Sequence, residues 1–133
     1  MYLYIRRPHE TGEGLSTGAC HGLFGLVPAI GKGTEIGYWR KFYALDNFLG
    51  RNSENEFELS REEVENALEF VEDTLATNKA GEGLDYNEFY DTYGCEPIDE
   101  WDLYKWEDSV EIFKKALEYI DKEDAKVFYV RWY

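Results

Sequence analysis

Thr34-Glu35-Ile36-Gly37-Tyr38-Trp39-Arg40-Lys41-Phe42-Tyr43-Ala44-Leu45-Asp46-Asn47-Phe48-Leu49-Gly50, with the segment that follows it to Ala76, is the stretch whose reading decides the fold. Tyr38, Phe42, Leu45 and Leu49 fall at i, i+4, i+7 and i+11, one stripe at helical spacing. Thr34 stands where an N-cap belongs and Gly50 where a chain leaves a helix, so the pattern predicts a helix from Glu35 to Leu49. Val64, Leu68, Val71 and Leu75 repeat the spacing in a second helix, Arg61 to Ala76. Its start carries Ser60 and Glu63 in capping-box register, with Leu59 and Val64 placed to form a hydrophobic staple. Asn78 to Gly83 supplies the stop.

Outward from this pair, the sequence turns to strand patterns. Tyr2-Leu3-Tyr4-Ile5-Arg6 alternates and is halted by Pro8; Glu56-Phe57-Glu58-Leu59 alternates and leads into the second helix. Thr11 to Gly33 is punctuated by glycine and reads as an ordered loop with one irregular strand at most. Leu84 to Ile98 is acidic and tyrosine-rich, with no clear period. Val110, Phe113, Leu117 and Ile120 mark a third helix that begins as early as Trp101. Lys126 to Trp132, β-branched and aromatic, reads as a terminal strand that pairs with Tyr2–Arg6 and ties down both ends. The expected architecture is one α+β domain over residues 1–133: three helices packed on a small, mainly antiparallel sheet of three or four short strands.

The composition narrows the class. At 44% apolar and 17% aromatic residues, the 133-residue chain has a core's worth of side chains and is not a disordered sequence. Cys20 and Cys95 are too few for a disulfide framework, and no apolar run approaches transmembrane length; a soluble protein of a reducing, cytoplasmic compartment is the expectation. The net charge of −14 is unevenly spread: residues 1–52 carry +2 and residues 53–133 carry −16. Such a chain repels nucleic acid and membranes of like charge and attracts basic partners.

Templates for catalysis and metal binding are nearly empty. His9 and His21 stand apart, His21 adjoins Cys20, and no second pair has zinc spacing. Ser16 and Ser53 lie in no nucleophile-elbow context, and Gly31-Lys32-Gly33-Thr34 only brushes a phosphate-loop pattern. No catalytic residue, metal or cofactor is expected.

Two constellations remain. Arg6, Arg7, Tyr38, Trp39, Arg40, Lys41 and Arg131 combine guanidinium groups with flat rings, which suits a phosphorylated nucleotide. The competing reading buries Tyr38 and Trp39 in the core and pairs Arg40 and Lys41 with the acidic half. The second constellation is residues 85–124, where fourteen Asp/Glu meet four Lys/Arg and are interleaved with Tyr86, Tyr90, Tyr93, Trp101, Tyr104 and Trp106. Carboxylates spread over a surface imitate a phosphate backbone, and Tyr and Trp among them are typical interface anchors.

At Tyr38-Trp39-Arg40-Lys41, followed by Leu45, Asp46 and Phe48, the chain resembles a family of small bacteriophage-encoded proteins with a Y-W-R-K-x-x-x-[IL]-x-x-[FW] helix. The likeness continues through Ser60-Arg61-Glu62-Glu63, through Ile98-Asp99-Glu100-Trp101-Asp102 and the helix from Glu107-Asp108-Ser109-Val110, and into an aromatic end at Tyr129 to Tyr133. It departs where Gly94-Cys95-Glu96-Pro97 replaces a G-F-F-F-G stretch, and where Asp46 replaces a histidine. The resemblance implies a phage origin, and with it a host cytoplasm; it carries over no activity and no functional residue.

The leading expectation is a non-enzymatic inhibitor of a host defence system, binding a basic, nucleic-acid-handling effector such as a CRISPR effector. Asp99, Glu100, Trp101, Asp102, Tyr104, Glu107 and Asp108 are the expected contact residues, with Trp101 as anchor. The alternative is a sponge for a phosphorylated nucleotide signal, held by Arg6, Tyr38, Trp39, Arg40 and Lys41. A nucleotide-processing enzyme is a third.

Overall fold

In Tyr2-Leu3-Tyr4-Ile5-Arg6 the alternation sends Leu3 and Ile5 to one face and Tyr2, Tyr4 and Arg6 to the other, and the segment is strand β1 (Tyr2–Arg6). The computed structural model describes residues 1–8, 33–50 and 55–131. After β1 come β2 (Thr34–Tyr38), α1 (Tyr43–Leu49), β3 (Glu56–Leu59), α2 (Arg61–Ala80), α3 (Tyr86–Tyr93), α4 (Leu103–Glu123) and β4 (Lys126–Val130). The four strands form one antiparallel sheet in the order β2-β1-β4-β3. The protein is therefore α+β, as the sequence predicts, with four helices among the described residues rather than three. The glycine-punctuated stretch, His9, Ser16, Cys20, His21, Ser53, Trp132 and Tyr133 fall outside the described residues.

The two ends of the chain pair as expected. Tyr2 to Arg6 runs opposite Val130 to Lys126 in unbroken register, and β3 pairs with the other side of β4. Leu3, Ile5, Phe57, Leu59, Val127 and Tyr129 line the face that receives the helices. Tyr2, Tyr4, Phe128 and Val130 form a second cluster on the opposite face.

The first expected helix is corrected. Thr34–Tyr38 is strand β2, and the helix begins only at Tyr43, without a side-chain cap. Thr34 caps nothing there; Thr, Ile and Tyr suit a strand, and Gly37 pays for the exchange. A Cβ on Gly37 would lie 2.6 Å from Ile112 Cγ2, so only glycine lets α4 settle this closely on β2. Three of the four stripe residues, Phe42, Leu45 and Leu49, are buried, whereas Tyr38 is exposed on the strand. Asp46, at the position where the resemblance expects histidine, is buried and accepts from Tyr129 Oη at 2.5 Å and Arg131 Nε at 2.7 Å, fastening α1 to the end of β4.

α2 keeps its capping box, with Ser60 Oγ accepting from Glu63 N and Glu63 returning to Ser60 N. It runs one turn past Ala76, through Asn78 to Ala80. Beyond it, α4 places Trp106, Ser109, Phe113 and Ala116 inward and packs on α2 more extensively than any other two helices meet. Between them the core is aromatic. Trp39 stacks on Phe113 at 5.7 Å and Phe42 meets Trp106 edge-on at 4.9 Å. The Trp39 indole N–H donates to Ser109 Oγ at 2.8 Å, and Ser109 Oγ donates back to Lys105 O.

That chain of donors sets a stability test. In Ser109→Ala the buried indole N–H of Trp39 loses its acceptor, at a cost of about 1–3 kcal/mol, read as a lower urea midpoint with an unchanged slope.

Candidate protein-binding surface

A surface that meets a partner needs exposed groups on a backbone held elsewhere, and the chain from Leu84 to Asp108 has both. Asp85 N-caps α3, its carboxylate accepting from Glu88 N at 2.9 Å, and Gly94 closes the helix in the left-handed region at φ 73°. Asp85 and Glu88, with Tyr86, Phe89, Tyr90 and Tyr93 between and after them, are the helix signal that the acidic composition obscured. Phe89 is the buried residue of α3. It lies against Gly81, where a Cβ would approach its ring within 2.3 Å. Ile98 N donates to Asn78 Oδ1 at 2.8 Å and the Tyr86 hydroxyl donates to Glu96 at 2.7 Å, which ties the connection after α3 to α2 and to α3 itself.

The turn into α4 is built by carboxylates. Asp99 Oδ1 accepts from Trp101 N at 2.9 Å, and Asp102 pairs with Lys105 at 3.1 Å one turn on. This hydrogen-bonded turn pushes Trp101 into solvent, where it is 78% exposed. Tyr104 follows at 57% exposure, and Glu107 and Asp108 stand on the outer side of α4, away from Trp106 and Ser109. Asp99, Glu100, Trp101, Asp102, Tyr104, Glu107 and Asp108 are thus gathered along one turn and the first turns of one helix. Five of the eight exposed aromatics among the described residues are Tyr86, Tyr90, Tyr93, Trp101 and Tyr104. Of the six aromatics singled out in residues 85–124, Trp106 alone is in the core. The three tyrosines of α3 add exposed rings to the same acidic segment of the chain.

Local electrostatics follow from those contacts. The backbone N–H of Glu88 holds the Asp85 carboxyl below its usual range, and the neighbouring Asp85 pushes Glu88 up. Hydrogen bonding to Glu96 raises the Tyr86 phenol. Asp99 and Asp102 also line a cleft of about 490 Å³ with Lys41, Tyr43, Lys105 and Trp106. Lys41, held at φ 52°, is thereby brought to the acidic region.

The five residues expected to form a nucleotide pocket are not brought together. Trp39 is core, while Tyr38 is exposed on β2 and stacks on Tyr2 at 4.9 Å. Arg6 lies at the far end of β1, four residues beyond Tyr2 and about 13 Å away along a strand. Arg40 is exposed at the turn after β2. Tyr38 is exposed and Trp39, the residue just past the end of β2, is buried, which is why the two cannot serve one pocket. Among the described residues no group of three or more His, Cys, Asp or Glu is arranged to hold a metal ion, and no helix is long and apolar enough to cross a membrane.

No family model matches the chain, and neither the curated proteins nor the solved structures give a match.

Because these aromatics carry little of the fold, Trp101→Ala and Tyr104→Ala should each move the unfolding free energy by no more than about 0.5 kcal/mol in a urea titration. Asp85→Ala should instead speed hydrogen exchange of the α3 amides at pH 7 while leaving those of β1 and β4 protected.

Proposed function

We propose that this chain is a non-enzymatic, phage-type inhibitor that occupies a basic surface of a host nucleic-acid-handling effector, such as a CRISPR effector. The observation that carries the reading is the exposure of Tyr86, Tyr90, Tyr93, Trp101 and Tyr104 among the carboxylates of residues 85–108. Large rings left in water cost free energy, and a face that needed only solubility would carry the charges without them. Carboxylates at intervals along a helix answer Lys and Arg that normally hold phosphates; Trp and Tyr supply the desolvated anchors that make such contact specific. The charge deepens the case: a net −14 steers the chain toward basic surfaces and away from nucleic acid itself.

Among the described residues the set for the nucleotide-sponge reading, Arg6, Tyr38, Trp39, Arg40 and Lys41, is divided between the core and separate exposed positions, and neither that reading nor the enzymatic one gains an observation in its favour.

The test is charge reversal on the turn and first turns of α4. Glu100→Lys, Glu107→Lys and Asp108→Lys combined should weaken capture of a basic host partner at least tenfold, and capture by the unaltered protein should fall as salt is raised toward 1 M, where the Debye length is about 3 Å. Full binding by the triple variant, with its circular dichroism unchanged, would sink the mimicry reading.

A further inference from the structure

Between Glu82 and Glu96 the chain puts a single side chain into the protein: Phe89 is buried and every other residue of that stretch is exposed. Of the eight described elements, α3 makes the least contact with the rest. Its polar bonds are local. Asp85 accepts from Glu88 N, Thr92 Oγ1 donates to Glu88 O and Tyr86 Oη donates to Glu96, each beginning and ending within residues 85–96. Gly83 at φ 91° and Gly94 at φ 73° flank the helix in the left-handed region, and nothing stands within 4 Å of where either would carry a Cβ. Beside Phe89 lies a cleft of about 190 Å³, lined also by Phe70, Thr77 and Ile98, so the seat on α2 is incompletely filled.

The helix held this loosely carries a complete recognition face. Tyr86, Phe89, Tyr90 and Tyr93 fall at i, i+3, i+4 and i+7, the spacing with which a helix lays its apolar side into a groove. The chain covers Phe89 and leaves the three tyrosines 52%, 50% and 37% exposed. Asn87, Glu88, Asp91 and Thr92 take the opposite side, and residues 80–104 hold eight Asp/Glu with no Lys or Arg. A groove that receives this helix is therefore apolar along its floor and basic at its rim.

We propose that α3 is a hinged arm that leaves α2 about Gly83 and Gly94 and lays Tyr86, Phe89, Tyr90 and Tyr93 into such a groove on a protein partner. Eight residues are too few for a helix that is stable by itself, so leaving α2 melts α3 and the partner's groove reforms it. A partner that binds the open arm shifts the equilibrium toward it. The inference rests on the inhibitor reading for the basic partner, and it names the kind of groove that partner offers.

Hydrogen exchange at pH 7, on the full chain free and bound to the captured basic partner, tests it. In the free protein the amides of Phe89 to Gly94 should exchange at least tenfold faster than the core amides of α2 and α4, and the partner should slow them at least tenfold. Two variants separate an arm from a fixed surface. A Cβ at position 81 would stand 2.3 Å from the Phe89 ring, so Gly81→Ala blocks the seat; it should speed α3 exchange and tighten capture, because the arm is already open. Phe89→Ala should likewise speed exchange but weaken capture at least tenfold. Exchange of α3 in step with α2 and α4 in the free protein, or capture weakened by Gly81→Ala, overturns the proposal. A partner that protects the first turns of α4 and not α3 overturns the arm alone and leaves the inhibitor reading standing.

Discussion

The pairing of Tyr2–Arg6 with Lys126–Val130 is the constraint on which the rest of this structure depends. It joins the two ends of the described chain across more than a hundred residues, and β3 and β2 can add only to the outer sides of the pair it makes. Closing so long a loop costs chain entropy, and the return comes from burying Leu3, Ile5, Val127 and Tyr129 beneath the helices. Asp46 reinforces the same seam from α1, accepting from Tyr129 and Arg131 eighty-three and eighty-five residues away. Removing that carboxylate would leave a guanidinium in a largely buried setting, so the seam is electrostatic as well as apolar.

β4 follows α4 directly, through Asp124 at φ 52° and Ala125, so fixing the strand also fixes the helix. The aromatic core around Trp39, Trp106 and Phe113 then sets the rotation of α4, sending Tyr104, Glu107 and Asp108 outward. One helix thereby carries acidic and aromatic groups at its start and ends beside β4. α3 differs in kind: one buried phenylalanine, a cap and a few hydrogen bonds hold it, and its tyrosines face water. Elements held so lightly open at lower free energy than the sheet.

Much of this was legible in the sequence. The alternation of Tyr2–Arg6 and Glu56–Leu59, the capping box at Ser60 and Glu63, and the β-rich end each carry a local signal that agrees with the tertiary structure. Thr34–Tyr38 was misread because Tyr38 happens to fall in register with Phe42, Leu45 and Leu49; what decides the strand is Gly37 against Ile112, a contact made across seventy-five residues. Trp39, weighed both as a stacking ring for a ligand and as core, is buried, and its indole N–H is spent on Ser109. α3 was hidden by its composition, since an acidic, tyrosine-rich octet lacks the aliphatic stripe that marks most helices. The acidic surface was legible because charge fixes exposure.

On the proposed function, a basic partner meets the side of the molecule that carries Trp101, whereas Tyr38, exposed on the outer strand β2, lies outside the contact. A photo-reactive benzophenone amino acid placed at position 101 in one sample and at position 38 in another tests this in the complex itself, since Trp101 and Tyr38 are both exposed. The account requires a covalent adduct with the partner from position 101 and none from position 38. An adduct from position 38 alone would contradict it.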